Sequence, residues 1–578
     1  MRYNKTLNKF ALIKVLFGGI FIVLTLKLVS IQVFSHSDFK KLAVDQQYTK
    51  KIIEYERGRI YSSDNYILAT NNTSYTFVIN PSVISDFDKF LNNVSTIIKF
   101  ENEDKKNDFI QRSKQGFNPN SKYFILKKNL TREEKVALEE LNLIGVSFEK
   151  EIKRFYPEGN LASNVLGFVA SSESDKFKGY YGIEGRNDKL LKGREGRVMY
   201  ERGADGEVIL YGNYNKQDSI NGDSLVLTID RTVQYIIEKK LEEHVKKTGA
   251  KSGQIIVMDP VTGNILGMAS YPRFNPYDPY TEFFDEENKF KSEVRNKAIF
   301  DNVEPGSVIK PLTLAIGLDL GVINENYTFQ DNGVLKLSDY EVDNWDKKHH
   351  GTMDLLGLLE KSNNIGASLI SLRIGPDNFK KYLPKFGFGR STDVDLEGEQ
   401  VGFIKSGFWA DIDTASVGFG QGFTATPLQV LASYSVFVNE GNLVKPKIIK
   451  EIQKSDGNVV VYPNLIEKNI IKKDVSNFMN ELMTKSMKSN ESKFFNLKNY
   501  QIAGKTGTAQ IAEKGKYVED RTNAFFVGYL PVSKKFSMLT RLEEPTSSSY
   551  AAETAVPLWM ETARDLINFY NIAPDFTY

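Results

Sequence analysis

The sequence predicts three parts in series: a single N-terminal transmembrane helix, an elongated α+β pedestal, and a larger α/β domain. Three observations predict this. A long apolar run stands near the N-terminus, at residues 10–34. Residues 37–220 mix short strands, glycine turns and Lys/Glu/Asn-rich helical periodicity. From about residue 221 the texture changes to apolar strands and amphipathic helices. The parts expected are therefore residues 1–36, 37–220 and 221–578. At 578 residues the chain is too long for one core, and roughly two to four domains are the ordinary outcome.

Composition excludes several classes of function. A net charge of +2 gives no argument for nucleic acid or another polyanion. With no Cys there is no disulfide framework, thiolate metal site or cysteine nucleophile. The four His are His36, His244, His349 and His350, and the adjacent pair in DKKHHG reads as a solvated turn. Neighbouring positions on a helix cannot face one metal from one side, and the serine–lysine chemistry at residues 304–312 needs no metal or organic cofactor.

The first element is FALIKVLFGGIFIVLTLKLVSIQVF, residues 10–34, long enough to span a bilayer. Lys14 and Lys27 sit near its ends, where a lysine can snorkel. Arg2, Lys5, Lys9 and Lys14 favour a cytoplasmic N-terminus, although Lys40, Lys41, Lys50 and Lys51 follow on the far side. The competing reading is a cleaved signal peptide, but no A-x-A-like site follows VLFGGIFIVLTL. Next, residues 37–80 read as a helix leading into hairpin strands. Residues 81–150 carry helical periodicity, with Thr131 as an N-cap before an acidic first turn. Residues 151–220 return to short strands and turns, among them ADGEVILYGN. DSLVLTIDRTVQYIIEKKLEEHVKK is then a strand and an amphipathic helix, and SGQIIVMDPVTGNILGMASYP two strands joined at Pro260–Asn264.

The chemistry begins at EPGSVIKPL, residues 304–312. The run SVIKPLTLAIGLDLG is apolar on nearly all sides and stops at Gly321, which predicts a buried helix. Pro311 is tolerable only in a first turn, so the helix is expected to begin at about Ser307. Positions i and i+3 share a face, so Ser307 Oγ and Lys310 Nζ can meet. A neutral lysine, its pKa lowered by burial and a nearby cation, can take the proton that makes a serine nucleophilic. Backbone N–H groups at the helix start can hold an oxyanion. Alone, S-x-x-K is common by chance. It has company, however. Ser362 and Asn364 in EKSNNIG offer a second hydroxyl and a carboxamide. Lys505, Thr506, Gly507 and Thr508 in YQIAGKTGTAQIA place a cation and hydroxyls on a strand whose glycine admits a substrate backbone. Ser-x-x-Lys, Ser-x-Asn and Lys-Thr-Gly in that order are a specific set.

The chain resembles the class B penicillin-binding proteins, the monofunctional peptidoglycan D,D-transpeptidases. Beyond the three motifs, ERGRIYSSDNYILATN, GIEGRNDKLLKGREG, RNKAIFDNVEPGSVIKP and ASVGFGQGFTATPLQVLASYSVFVNEG resemble segments of that family. The family's usual Asp-Arg is replaced by Ser62 and Ser63. The resemblance implies a serine β-lactamase-like catalytic domain, an antiparallel sheet flanked by helices. It implies that Ser307 attacks the penultimate D-alanine carbonyl of a stem pentapeptide and that Lys310 accepts its proton. Ser362 then relays a proton to the leaving D-alanine, helped by Lys505, and Asn364 holds the donor amide. Thr506 and Thr508 hold the terminal carboxylate beside Gly507, and the N–H groups of Ser307 and Thr508 form the oxyanion hole. β-Lactam antibiotics would remain attached to Ser307. The anchor and residues 37–220 resemble the parts through which the family contacts a SEDS-type glycan polymerase and other division proteins. RNKA close before EPGS, and KTGTAQ rather than a K-S-G form, lean toward the septal subtype over the elongation subtype. The cell implied is bacterial, with the catalytic domain outside the inner membrane. Rivals are a membrane-anchored D,D-carboxypeptidase or β-lactamase, a penicillin-sensing receptor, and a catalytically silent scaffold.

Overall fold

SGQIIVMDPVTGNILGMASY folds as the two expected strands, Ser252–Met258 and Ile265–Tyr271, paired antiparallel. They begin a five-stranded antiparallel sheet in the order Ile265–Tyr271, Ser252–Met258, Ser537–Glu543, Lys516–Tyr529, Ala503–Glu513. The computed structural model describes residues 9–100, 102–170, 177–201, 203, 209, 214–277, 295–489, 497–513 and 516–576. The stretch ADGEVILYGN, apart from Ile209, and the basic residues Arg2 and Lys5 lie outside them. Successive strand residues face opposite sides, and the sheet uses both. Ile255, Val257, Phe526 and Met538 turn to a layer made by the helices Arg231–Thr248 and Ala555–Phe569, where Trp559 packs edge-on against Phe526. Ile256, Met258, Phe525, Val527 and Leu539 turn the other way, onto Val308, Leu312 and Ile316. Each such side chain, fully buried, stabilises the fold by about 1.5–3 kcal/mol. The catalytic domain is thus an antiparallel sheet flanked by helices.

The pedestal's long strand Ile67–Ile79 pairs with Ile60–Tyr61, Phe124–Leu130 and Val146–Phe155. The sheet does not stop at the expected boundary near residue 221. Ser224–Leu227 pairs parallel with Ile60–Tyr61 and antiparallel with Ile449–Gln453, so one sheet serves both regions. Residues 81–150 form a lobe whose core of Phe90, Leu91, Val94, Leu126 and Leu138 packs on Phe77 of the long strand. Its helices are Phe87–Ile97, Glu103–Gly116 and Arg132–Glu140. The last is closed by a capping box: Glu134 N donates to Thr131 Oγ1 at 3.2 Å, and Thr131 N donates to Glu134 Oε2 at 2.8 Å. Ser62, at the unusual position, ties its hairpin: its hydroxyl accepts from Tyr66 N at 3.0 Å, and its own N–H donates to Tyr66 O at 2.8 Å. Buried Glu184 receives Arg57 Nε at 2.7 Å and Arg154 Nε at 2.6 Å.

Residues 57–192 and 222–578 make one compact unit; residues up to Glu56 together with Gly193–Asn221 make another. The second holds the helix Lys9–Val29, a π-helical turn Ser30–Phe34, the helix His36–Gln47, and a three-stranded antiparallel sheet of Tyr48–Ile53, Gly196–Glu201 and Tyr214–Gln217. Phe10–Phe34, 25 residues and unburied by protein, is the one helix among the described residues long and apolar enough to cross a membrane. At 1.5 Å per residue it exceeds a hydrocarbon core of about 30 Å.

Candidate active site

Ser307 lies in a 3-10 turn, Gly306–Ile309, and the α-helix proper begins at Lys310 and runs to Asp319. The helix therefore starts three residues later than Pro311 alone suggested. Pro311 still falls in its first turn, where its missing N–H costs nothing. The 3-10 turn is clamped from outside. Gly306 N donates to Gly420 O at 2.9 Å, and the buried Tyr434 hydroxyl donates to Val308 O at 2.6 Å. Gly420, at φ +89°, touches the turn so closely that a Cβ there would stand 2.0 Å from Gly306 O.

Lys310 is 0% exposed. Its ammonium nitrogen reaches Ser362 O at 2.5 Å, Asn364 Oδ1 at 2.7 Å and Ser362 Oγ at 3.1 Å. Burial, and then the charge of Lys505, holds the Lys310 amine well below the ordinary lysine range. Among the described residues no hydrogen bond joins Ser307 Oγ to Lys310 Nζ. Ser307 is half-buried at the head of the turn, and the lysine is engaged by the second motif. Apo sites often show such loose nucleophile geometry.

Ser362 sits between the helices Leu355–Glu360 and Asn364–Ile374 at φ +51°, a left-handed backbone that a serine adopts only when its surroundings hold it there. Asn364 Nδ2 donates to Asp343 O at 2.9 Å and Asn364 N to Asn344 Oδ1 at 3.1 Å. Asn363, passed over in the motif, caps the second helix: its Oδ1 accepts from Gly366 N at 2.7 Å. The solvated-turn reading of the histidine pair holds for His349, which is exposed. His350 is half-buried and places Nε2 3.2 Å from Asp346.

Lys505, Thr506, Gly507 and Thr508 lie on the edge strand Ala503–Glu513, as the motif predicted. Lys505 Nζ donates to Thr506 O at 3.1 Å and Thr506 Oγ1 at 3.2 Å, and Thr508 Oγ1 accepts from Ala551 N at 3.3 Å. The glycine serves a nearer neighbour than a substrate. A Cβ on Gly507 would stand 2.9 Å from Val308 Cγ1 and 3.1 Å from Pro305 O, so its absence lets the nucleophile turn lie against the strand. Sequence reasoning missed Gly420 and Tyr434 because nothing local marks them; each acts on a turn more than a hundred residues away. The assembled groups are a half-buried hydroxyl, a desolvated amine, a second hydroxyl, a carboxamide and a cationic edge strand, a set suited to acyl transfer without a metal.

Known proteins resemble this chain in sequence and in fold. The profile described as penicillin binding protein transpeptidase domain matches residues 253–561, and that described as penicillin-binding protein dimerisation domain matches residues 52–227. Stage V sporulation protein D of Bacillus subtilis is 27% identical, over 99% of this chain and 87% of its own length. Peptidoglycan D,D-transpeptidase FtsI of Buchnera aphidicola is 28% identical, over 96% of this chain and 94% of its own. The crystal structure of penicillin binding protein 3 from Mycobacterium tuberculosis, complexed with aztreonam, superposes with a TM-score of 0.67 at 22% identity. It covers 91% of this chain and 98% of that one, and establishes a common fold.

Proposed function

The chain belongs to the penicillin-binding protein transpeptidase family, and from that membership we propose that it is a membrane-anchored D,D-transpeptidase that cross-links peptidoglycan stem peptides in septal wall synthesis. The observation that carries the reading is Lys310: an amine wholly buried, its basicity lowered by burial and by Lys505, one helical turn from Ser307. In this reading Ser307 Oγ bonds to the carbonyl carbon of the penultimate D-alanine while its proton passes to Lys310 Nζ. The C–N bond to the terminal D-alanine breaks, and the leaving nitrogen takes its proton through Ser362, with Lys505 assisting. An amine of a second stem peptide then attacks the ester, forms the cross-link and restores Ser307.

The hydrogen bonds to Lys310 support the relay. Lys310 Nζ donates to Ser362 Oγ at 3.1 Å, so a proton taken from Ser307 has a direct path to that hydroxyl and on to the leaving group. Asn364 grips the donor amide, Thr506 and Thr508 the carboxylate beside Gly507, and the N–H groups of Ser307 and Thr508 the oxyanion. Residues 1–36 serve as tail and anchor with the N-terminus cytoplasmic, 37–220 as pedestal, and 221–578 as the extracytoplasmic catalytic domain. The anchor and pedestal contact a SEDS-type polymerase; co-purification that survives exchange of both regions would refute this. The septal role rests on the spacing of RNKA before EPGS and on KTGTAQ.

The test is incubation with a fluorescent penicillin beside Ser307→Ala, following the label for hours. Stable label lost in the variant is expected. Label that decays within minutes while penicillin is consumed would make the protein a β-lactamase. Label retained by the variant would remove Ser307 as nucleophile.

A further inference from the structure

Below the Ser362–Asn364 loop lies a carboxylate that the reaction above does not use. Asp331 closes the strand Thr328–Asp331 and is 1% exposed. Among the described residues no cationic side chain pairs with it. Its charge is met by N–H donors instead: Oδ1 accepts from Gly333 N at 2.8 Å, and Oδ2 from Asn363 Nδ2 at 2.7 Å, Asn344 Nδ2 at 2.8 Å and His350 N at 3.2 Å. A buried carboxylate is costly unless so satisfied, and this one is.

The two amides it holds lead straight to the site. Asn363, 1% exposed, spends its oxygen on Gly366 N, and Asn344, 3% exposed, spends its oxygen on Asn364 N. Neither amide can turn round to relieve a lost acceptor without giving up the bond at its other end. The loop thus fixed holds Ser362 in its left-handed backbone and carries all three acceptors of Lys310. We infer that Asp331 is a positioning residue for acyl transfer, setting through Asn363 and Asn344 the place of the groups that hold Lys310. The inference rests on the reading of Ser307 and Lys310 given above. Both oxygens of Asp331 accept from N–H groups, so Asp331→Asn, nearly isosteric, turns an N–H toward Gly333 N in one orientation and toward Asn363, Asn344 and His350 in the other.

The experiment is stopped-flow acylation of the full-length chain in detergent micelles by a chromogenic cephalosporin. Saturation separates the pre-acylation constant K from the acylation rate constant k2, and burst amplitude counts correctly folded sites. For Asp331→Asn the expected result is a fall in k2 of about 10- to 100-fold, with K within about twofold, because a misplacement near 1 Å costs that much. Unchanged k2 with a lowered melting temperature or burst amplitude would reduce Asp331 to a purely structural part and overturn the inference. If Asp331→Asn does not fold, Asn344→Ala removes one arm of the network and is expected to lower k2 severalfold; an unchanged k2 there overturns it too. A wild-type chain that is not acylated, or a Ser307→Ala chain that is, would instead defeat the catalytic reading itself.

Discussion

Lys310 is buried, cationic by default and surrounded by acceptors, and these facts pull against one another. Three acceptors suit an ammonium, while burial and Lys505 disfavour it and win. Because only the neutral amine can take the serine proton, acylation is expected to rise with pH through a midpoint well below the ordinary lysine range. It is lost as pH falls through the folded value. Between the folded value and the ordinary one the unfolded chain binds the proton more readily, so stability rises with pH across the same window. Acylation rates from mildly acidic to alkaline pH check this, and a flat profile would remove Lys310 as the base. Lys310→Met should lower acylation by about 10²–10⁴-fold and reduce unfolding free energy by about 1–3 kcal/mol, since Ser362 O and Asn364 Oδ1 lose the donor they share. Ser307, Lys310 and the Lys505 strand were legible because each motif is local. Asp331, Asn344 and Asn363 were not, because only folding brings positions 331, 344 and 363 together.

Among elements, the nucleophile turn is built as much by its neighbours as by its own residues. Gly420→Ala would drive a Cβ against a backbone oxygen at a left-handed φ, whereas Gly507→Ala meets mainly a valine methyl that can give way. We expect Gly420→Ala to cost roughly 2–4 kcal/mol and abolish penicillin labelling. Gly507→Ala should cost roughly 1–2 kcal/mol and slow labelling. Denaturant unfolding and labelling kinetics of the pair test it, and the reverse order would contradict the clamp. The capping box is independent of the site. Thr131→Ala should cost about 1 kcal/mol in hydrogen-exchange protection of the Arg132–Glu140 helix, with no change in acylation. Thr131 was readable from TREE because a cap is a four-residue signal. The clamp was not, because glycine in GFGQG announces freedom of backbone and not the partner that requires it.

At the scale of the whole molecule, Glu184 ties Arg57, just before the strand Ile60–Tyr61, to Arg154 on the strand Val146–Phe155. Burial would raise its carboxyl pKa, but Arg154 and Arg57 hold it below the usual carboxylate range. Glu184→Gln would leave buried Arg154 short of counter-charge and Arg57 with Asp188, at 2.7 Å, as its carboxylate partner, and should cost about 3–5 kcal/mol. A thermal midpoint unmoved by the change would show the cluster to be dispensable. The three-part organisation was legible from texture, yet the sheet that runs through two of the parts was not. A pairing between Ile60–Tyr61 and Ser224–Leu227 leaves no mark in either segment. That sheet has a consequence for the order of synthesis. Ile60–Tyr61 leaves the ribosome with one edge unpaired and waits for Ser224–Leu227; that strand waits in turn for Ile449–Gln453. Most of the chain must be made before these strands are complete, so the newborn protein carries open hydrogen-bonding edges through most of its translation.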